Sequence, residues 1–127
     1  MKFKYTILYV ESVSATLDFY EKAFGFTRKF IHEAGDYGEL DTGDTTLAFA
    51  SLAMMADSGK NPAKANPSAP MFELAFETTD VSNCLHRAID SGATMVQDVK
   101  DEPWGQTTSY VTDINGFLVE ICTPVAQ

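Results

Sequence analysis

The residues most able to do chemistry in this 127-residue chain are carboxylates within apolar, strand-like runs. Glu120 lies in the stretch DINGFLVEIC, where Asn115-Gly116 predicts a hairpin turn and the apolar residues after it predict a strand. An unpartnered carboxylate in a buried strand is costly in free energy or takes up a proton. Either Glu120 faces water from an edge strand, or it lies beside a metal ion, a cation, a hydrogen-bond donor or a solvated cavity.

Two further acids, Glu73 and Glu77, lie in a second strand-like run, ELAFETTDV. They are candidate general bases, or solvated acids on a strand whose other face is buried. Tyr5 and Tyr9 in the run YTILYVESV could donate hydrogen bonds to a ligand, or pack with a hydrated hydroxyl. No phosphate loop, dinucleotide fingerprint or Ser/His/Asp pattern accompanies these residues in the sequence.

Composition and charge disfavour several classes of partner. The chain is 45% hydrophobic and 21% charged, which is typical of a folded domain with its own core. Its formal net charge of −9 argues against nucleic acid and anionic membranes, because both are bound through clustered Lys and Arg. The first twenty residues contain no apolar run typical of a signal peptide or a membrane span, so we expect a cytoplasmic protein. Cys84 and Cys122 form no CxxC pattern, and packing roles are expected for both.

One pattern of elements occurs twice along the chain. The strand-like run at residues 5–13 precedes a helical pattern that ends at Gly25, and the run at residues 73–81 precedes a helical pattern between Asp80, as N-cap, and Gly92. Three short strand candidates follow each helix, at residues 26–34, 36–42 and 45–51 and at residues 93–98, 106–112 and 117–122.

The repeated pattern predicts an α+β fold made of two βαβββ modules within a single domain, residues 1–127. Module one comprises residues 1–51 and module two residues 71–127. Residues 52–70 contain three prolines and few large apolar residues, so we expect a crossover loop there.

Placing one half of the sequence over the other relates the polar positions. Counting back from the predicted helix starts pairs Tyr5 with Glu73. Counting from the hairpin turns pairs Glu120 with Ala48, or with Leu47 if the hairpins differ by one residue. If the strands of each half curl around a cavity, alternation directs two sets of side chains into it: Tyr5, Ile7 and Tyr9, and Glu73, Ala75 and Glu77.

The remaining candidates are aromatic or imidazole side chains. Trp104, the only tryptophan, lies between Pro103 and Gly105, where it could stack on a flat ligand, pack in the core or contact a dimer partner. His86 belongs to the second predicted helix, where a solvent-facing or packed side chain is expected. His32 lies in a hairpin region, and a role in the site is the less favoured interpretation.

Four features together resemble a known group of proteins: the paired βαβββ modules, the LDFYEKAFGF helix, EPWGQ before a strand, and DINGFLVEI near the end. They are similar to the vicinal oxygen chelate superfamily, which includes glyoxalase I, extradiol dioxygenases and the bleomycin- and fosfomycin-resistance proteins. The resemblance covers nearly the whole chain. It implies a glyoxalase/bleomycin resistance/dihydroxybiphenyl dioxygenase-like fold, a cup-shaped incomplete barrel with the binding site in its concave face, and a homodimer.

Metal-using members of that superfamily take ligands from the first and last strands of each module. The matching positions here are Tyr5, Leu47 or Ala48, Glu73 and Glu120. The usual pattern has His or Gln on the first strand, His on the first strand of module two and an acid on the last. Since imidazole is missing, the resemblance implies no metal cofactor, with Mg²⁺ or Mn²⁺ held by Glu73, Glu120 and waters as the alternative.

Two functions therefore remain open. The favoured one is a metal-independent protein similar to bleomycin-resistance proteins, which binds an aromatic or amphipathic small molecule through Tyr5, Ile7, Tyr9, Glu73, Glu77, Trp104 and Glu120. The alternative is a metal-dependent lyase, isomerase or dioxygenase similar to glyoxalase I, with Glu73 and Glu120 as its candidate catalytic residues. Whether the protein is an enzyme stays open, and a purely structural role is a third possibility.

Overall fold

A computed structural model describes residues 1–125 of the chain. It contains two compact units, residues 1–64 and the described residues from 65 onward, and from here on module one and module two denote these two units. The division between them falls inside the crossover segment predicted at residues 52–70. Each unit contains a helix and a four-stranded mixed sheet that does not close into a barrel, which confirms the predicted α+β class.

Module one has the element order of the predicted βαβββ unit. Its sheet has the strand order β1-β4-β3-β2, with β1 and β4 parallel and the other pairs antiparallel. The elements are β1 (Tyr5–Val10), α1 (Val13–Phe24), β2 (Thr27–Ile31), β3 (Tyr37–Asp41), β4 (Thr46–Ser51) and α2 (Leu52–Asp57).

Local sequence determines both ends of α1. The Ser12 side chain accepts a hydrogen bond from the backbone N–H of Ala15 at 3.2 Å, which satisfies one of the free donors of the first turn. The helix ends at Gly25, whose φ of 74° is left-handed and whose N–H donates to the Glu21 carbonyl. Between these caps, the apolar stripe that includes Leu17 and Tyr20 is fully buried.

Gly38 on β3 identifies the face of the module-one sheet that packs against α1. A Cβ atom added at Gly38 would lie 2.7 Å from Leu17 Cδ1 and 3.1 Å from Val13 Cγ1. Side chains alternate along a strand, so Tyr37 and Glu39 project from the opposite side. We call the side opposite the helix the open face of each sheet.

Module two repeats the arrangement, with the strand order β5-β8-β7-β6 and β5 parallel to β8. Asp80 caps its helix by accepting from the Asn83 N–H at 3.2 Å. Val81, Leu85 and Ala88 are buried along one side of that helix. The elements are β5 (Glu73–Glu77), α3 (Val81–Asp90), β6 (Thr94–Asp101), β7 (Thr107–Thr112) and β8 (Leu118–Cys122).

The structure differs from the predicted elements at a few boundaries. The segment predicted as a loop begins with α2, because the Ser51 side chain caps it by accepting from the Met54 N–H at 3.0 Å. Strand β6 continues to Asp101 through two irregularities in its pairing with β7. Helix α3 ends as predicted: Ser91 is its C-cap, and Gly92 follows with a left-handed φ of 117° and an N–H that donates to the Ile89 carbonyl at 3.0 Å.

The helices were compared with the length and hydropathy that a membrane-spanning helix needs. Within residues 1–125, none of them has the length and apolar character needed to cross a bilayer.

Candidate functional site

Strand register defines one row of four side chains across the open face of the module-two sheet. Gln97 pairs with Tyr110, Tyr110 with Glu120, and Glu120 with Ala75. Residues directly opposite each other in neighbouring strands project to the same side. Glu120, the acid that stood out in the sequence, therefore lies between a tyrosine and an alanine on the open face.

The Tyr110 hydroxyl joins the two carboxylates that the sequence singled out. It contacts Glu120 Oε2 at 2.9 Å and Glu73 Oε2 at 3.1 Å. Glu73 is exposed, whereas Glu120 and Tyr110 are partly buried. The structure thus brings Glu73 and Glu120 together through a hydrogen-bond donor that was not among the predicted site residues.

Hydrogen counting shows that this cluster, which we call the Tyr110 triad, has spare acceptor capacity. One phenol carries one proton and each ionised carboxylate carries several lone pairs. Burial raises the pKa of Tyr110, and its hydrogen bonds to Glu120 and Glu73 raise it further. Tyr110 therefore remains a donor throughout the neutral range, and most acceptor sites of Glu73 and Glu120 stay open to a ligand.

Cys122 lies two residues beyond Glu120 on the same face of β8. Burial raises the pKa of its thiol to about 11, with further contributions from Glu120, Glu77 and Glu73. A thiol of this kind stays protonated at neutral pH, and the thiolate is the reactive form. Cys122 is therefore a small packing residue of the open face, as predicted, and not a nucleophile.

A second polar chain lies beside the triad and was also not predicted. Gln97 donates to Thr108 Oγ1 at 3.2 Å, and Thr108 donates to Glu102 Oε1 at 3.1 Å. Lys100 Nζ lies 3.7 Å from the same Glu102 oxygen. With Glu77 exposed on β5, the open face of module two is mostly acidic and polar.

The equivalent row in module one runs Phe30, Glu39, Ala48, Ile7. Ala48 pairs with Ile7 on the first strand just as Glu120 pairs with Ala75, so the repeat mate of Glu120 is Ala48 rather than Leu47. The same register makes Glu39 the repeat mate of Tyr110 and confirms that Tyr5 matches Glu73.

Glu39 is the carboxylate of this row, and sequence reasoning did not single it out. It is 6% exposed, its Oε2 accepts from the Tyr37 hydroxyl at 2.7 Å, and its Oε1 lies 3.7 Å from Lys29 Nζ. Burial raises the pKa of Tyr37, and its hydrogen bond to Glu39 raises it further. Alternation in YGELD was the available signal, since it places Glu39 opposite the glycine that packs on α1.

The predicted module-one residues lie on the first strand, beside this row. Tyr5 and Ile7 are about half exposed, and Tyr9 is partly buried. Leu8 and Val10 between them are buried, so the predicted alternation is confirmed. Whether these side chains touch a ligand stays a prediction.

Trp104 and the two histidines lie outside both rows. Trp104 is 58% exposed, and its indole Nε1 donates to Gln106 Oε1 at 2.7 Å. This exposure excludes a core position, while the predicted ligand contact stays untested. His32 lies in an exposed turn with Nδ1 at 3.5 Å from Asp36, and His86 is exposed on α3.

The donor set is poorly suited to Zn²⁺, Ni²⁺ or Fe²⁺, because it contains no imidazole. Tyr5 and Ala48, at two of the four matching positions, offer neither imidazole nor carboxylate, and the Tyr110 hydroxyl already contacts one oxygen of Glu73 and one of Glu120. Within residues 1–125, no group of three or more His, Cys, Asp or Glu side chains has a geometry suited to a metal ion.

The family profile described as "Glyoxalase-like domain" matches residues 3–126. The chain belongs to this family. Among curated proteins, this glyoxalase-like domain is similar to an uncharacterized protein of Mycobacterium bovis, with 26% identity over 132 residues that cover 94% of this chain and 82% of that protein.

Two solved structures show the same fold. One is a glyoxalase-related enzyme from Fulvimarina pelagi, with TM-score 0.82, 21% identity, and coverage of 98% of this chain and 88% of that one. The other is a glyoxalase/bleomycin resistance protein/dioxygenase family enzyme from Burkholderia phytofirmans PsJN, with TM-score 0.81, 20% identity, and coverage of 97% and 98%. The glyoxalase-like domain therefore has the fold of the vicinal oxygen chelate superfamily, as the sequence predicted.

Proposed function

We propose that this glyoxalase-like protein binds an aromatic or amphipathic small molecule without a metal ion, in the manner of the bleomycin-resistance proteins. The observation that carries the proposal is the Tyr110 triad. At the positions where metal-using relatives hold their ion, a phenol hydroxyl contacts Glu73 at 3.1 Å and Glu120 at 2.9 Å. Such a cluster offers oriented acceptors to a ligand rather than an open coordination shell.

Exposed apolar side chains on the predicted site residues support an aromatic or amphipathic ligand. Tyr5, Ile7 and Trp104 each leave about half of their surface accessible, so their apolar surface is available to a ligand. A ligand that combines a flat apolar part with hydrogen-bond donors would satisfy both these groups and the carboxylates.

The test is to measure metal content and ligand binding on the same protein, purified without chelators. We expect less than one tenth of an equivalent of any transition metal, and melting shifts below about 2 °C with Mn²⁺, Mg²⁺, Ni²⁺ or Zn²⁺, because a weakly bound ion stabilises little. Tight, stoichiometric metal that is lost in Glu120→Ala but retained in the matched variant Glu77→Ala would contradict the proposal.

One observation favours the alternative, a metal-dependent lyase, isomerase or dioxygenase. Glu73 and Glu120 both reach the same phenol oxygen, so together they could hold a hydrated Mg²⁺ or Mn²⁺ if Tyr110 moved aside. Tyr110→Phe separates the two functions. It would weaken a ligand site in which the hydroxyl orients the two carboxylates, whereas it would strengthen Mn²⁺ binding if the phenol competes with the ion.

We also infer that two copies of the chain pair. Strand β6 lies at the edge of its sheet and exposes the apolar side chains of Met95, Val96 and Val99. An edge of this kind is usually covered or protected, and a two-fold partner would cover it. Light scattering at tens of micromolar should give the mass of a dimer, and Val96→Lys with Val99→Lys should shift it to that of a monomer. A wild-type monomer would contradict this inference.

A further inference from the structure

We propose that module one carries a recognition site of its own for organic cations, in which Glu39 pairs with a protonated amine attached to a flat apolar group. The inference deepens the proposed function and rests on it, since it names the class of ligand. It also adds a carboxylate that lies on β3, away from the first and last strands whose residues were predicted to form the site.

The module-one row places a nearly buried carboxylate between two exposed apolar side chains. The ends of the row, Phe30 and Ile7, are 42% and 44% exposed, whereas Glu39 is 6% exposed and Ala48 is fully buried. Ala48 contributes only a methyl group to this face. A ligand lying along the row would contact apolar side chains at both ends and would reach the carboxylate through its accessible oxygen, Oε1.

One oxygen of this buried carboxylate has no hydrogen bond. Oε2 accepts from the Tyr37 hydroxyl at 2.7 Å, but the nearest cation to Oε1 is Lys29 Nζ at 3.7 Å, which is beyond hydrogen-bond distance. Within residues 1–125, no other donor reaches Oε1. Oε1 is not among the fully buried side-chain atoms of the described residues that lack a partner, so it reaches solvent, and a charged donor from a ligand would replace water there.

The surroundings favour a cation over a neutral donor or an anion. The ring of Phe30 lies 6.0 Å from that of Tyr37, and Tyr5 projects from the same face of β1. Aromatic faces beside a carboxylate attract an ammonium group through both charge and ring quadrupole. Lys29 is half exposed and hydrated, so a ligand ammonium that reaches Oε1 would displace it rather than share the site.

Three indole compounds of similar size test the charge preference by isothermal titration calorimetry: tryptamine is a cation, tryptophol is neutral and indole-3-acetate is an anion at neutral pH. We expect tryptamine to bind at least about tenfold more tightly than tryptophol, in line with a hydrogen bond to a charged group, and indole-3-acetate to bind most weakly. Equal affinities, or preference for the anion, would overturn the inference while leaving the proposed function standing. Absence of binding by all three would count against the proposed function itself.

Variants then locate the preference at Glu39. Glu39→Gln keeps the shape of the side chain and should reduce tryptamine affinity about tenfold or more, while changing tryptophol affinity less than about threefold. Asp41→Asn is the matched control, because Asp41 is an exposed acid two residues along the same strand, and it should leave tryptamine affinity within about twofold. A similar loss in both variants would overturn the inference, because it would show a general effect of net charge.

Lys29→Met keeps the inference testable if Glu39→Gln fails to fold. Lys29 is exposed, and its removal deletes the cation that competes for Oε1. Tryptamine affinity should rise about two- to fivefold. Unchanged or weaker tryptamine binding would show that Oε1 is not the acceptor for the ligand ammonium.

Discussion

The two modules place different side chains at equivalent positions of the same four-stranded sheet. Across the open face, the row in module one reads Phe30, Glu39, Ala48, Ile7, and the row in module two reads Gln97, Tyr110, Glu120, Ala75. The carboxylate lies on the third strand of module one and on the last strand of module two. In both modules a tyrosine hydroxyl donates to it.

Both carboxylates accept a hydrogen bond from a tyrosine, but their burial and their neighbouring side chains differ. In module one the acid is buried and flanked by exposed apolar side chains, whereas in module two Glu73 and Glu77 are exposed beside the partly buried Glu120. The strand order, the helix and the strand register are therefore the same in both modules, while the side chains on the open face differ. Recognition chemistry depends on which strand carries the acid and on how deeply that acid is buried.

The largest expected change in stability comes from Gly38, on the side of the module-one sheet that packs against α1. Gly38→Ala should lower the free energy of unfolding by about 2 to 3 kcal/mol, because its new Cβ would overlap Leu17, which is fully buried and has little room to move. Denaturant unfolding measures the loss. A change below about 0.5 kcal/mol would show that α1 packs less closely on β3 than the structure has it.

Trp104→Ala should weaken the binding of a flat aromatic ligand by roughly 1 to 3 kcal/mol, the range for removing an aromatic anchor from a site. The melting temperature should change little, because Trp104 is exposed and belongs to neither core. Ligand titrations followed by tryptophan emission report the contact, since the chain has a single tryptophan. If emission is unaffected by a ligand that stabilises the protein, Trp104 lies outside the site.

Tyr37→Phe should destabilise the protein more than Tyr110→Phe, by about 1 to 2 kcal/mol against less than about 1 kcal/mol at pH 7. The reason is burial: Tyr37 donates to the buried Glu39, whereas the acids of the Tyr110 triad can turn to water. Chemical denaturation of both variants gives the comparison. Equal losses would show that the depth of the acid does not set the cost.

The dependence of stability on pH above 10 also tests the hydrogen bonds of Tyr37 and Tyr110. Burial, and then hydrogen bonds to carboxylates, raise the pKa of both tyrosines above the ordinary value of about 10. The folded state therefore holds the phenol protons more tightly than the unfolded state, so this stability is complete below pH 10 and is lost as the pH rises through the folded pKa. Each Phe variant should show a smaller fall in unfolding free energy above pH 10 than the wild type, and an unchanged fall would contradict this.

Ser109→Ala gives the smallest expected effect and the opposite sign. Ser109 is the repeat mate of Gly38, and within residues 1–125 its buried hydroxyl has no hydrogen-bond partner. Removing an unsatisfied hydroxyl should raise the free energy of unfolding by up to about 1 kcal/mol. A loss of stability would indicate that the hydroxyl makes a bond the structure does not contain.

Local signals predicted most of the fold. The caps at Ser12 and Asp80, the stop at Gly25 and the apolar periodicities depend on neighbours within a few residues, and they fixed the order of the elements. The short helix α2 was missed because the three prolines later in residues 52–70 outweighed its own signals, the capping Ser51 and the good helix formers of LAMMAD.

The candidate site was only partly predictable because it depends on strand register. Tyr110 and Glu39 each lie opposite a residue of the neighbouring strand, and no local signal gives that pairing. Counting from the turns gave Ala48 as the mate of Glu120 with Leu47 as an alternative, and the strand register decides for Ala48. The sequence pattern also did not predict how deeply each acid is buried. Glu120 was predicted from its unusual setting, whereas Glu39, the more buried acid, lies in a strand of ordinary composition.

We propose above that the protein binds its ligand through its own side chains and not through a metal ion. The most direct test is to titrate an aromatic ligand such as tryptamine into protein treated with a chelator, and again into protein with millimolar Mn²⁺ added. We predict the same dissociation constant, within about twofold, in both titrations. Binding that disappears with the chelator, returns with Mn²⁺ and requires Glu73 and Glu120 would contradict the claim.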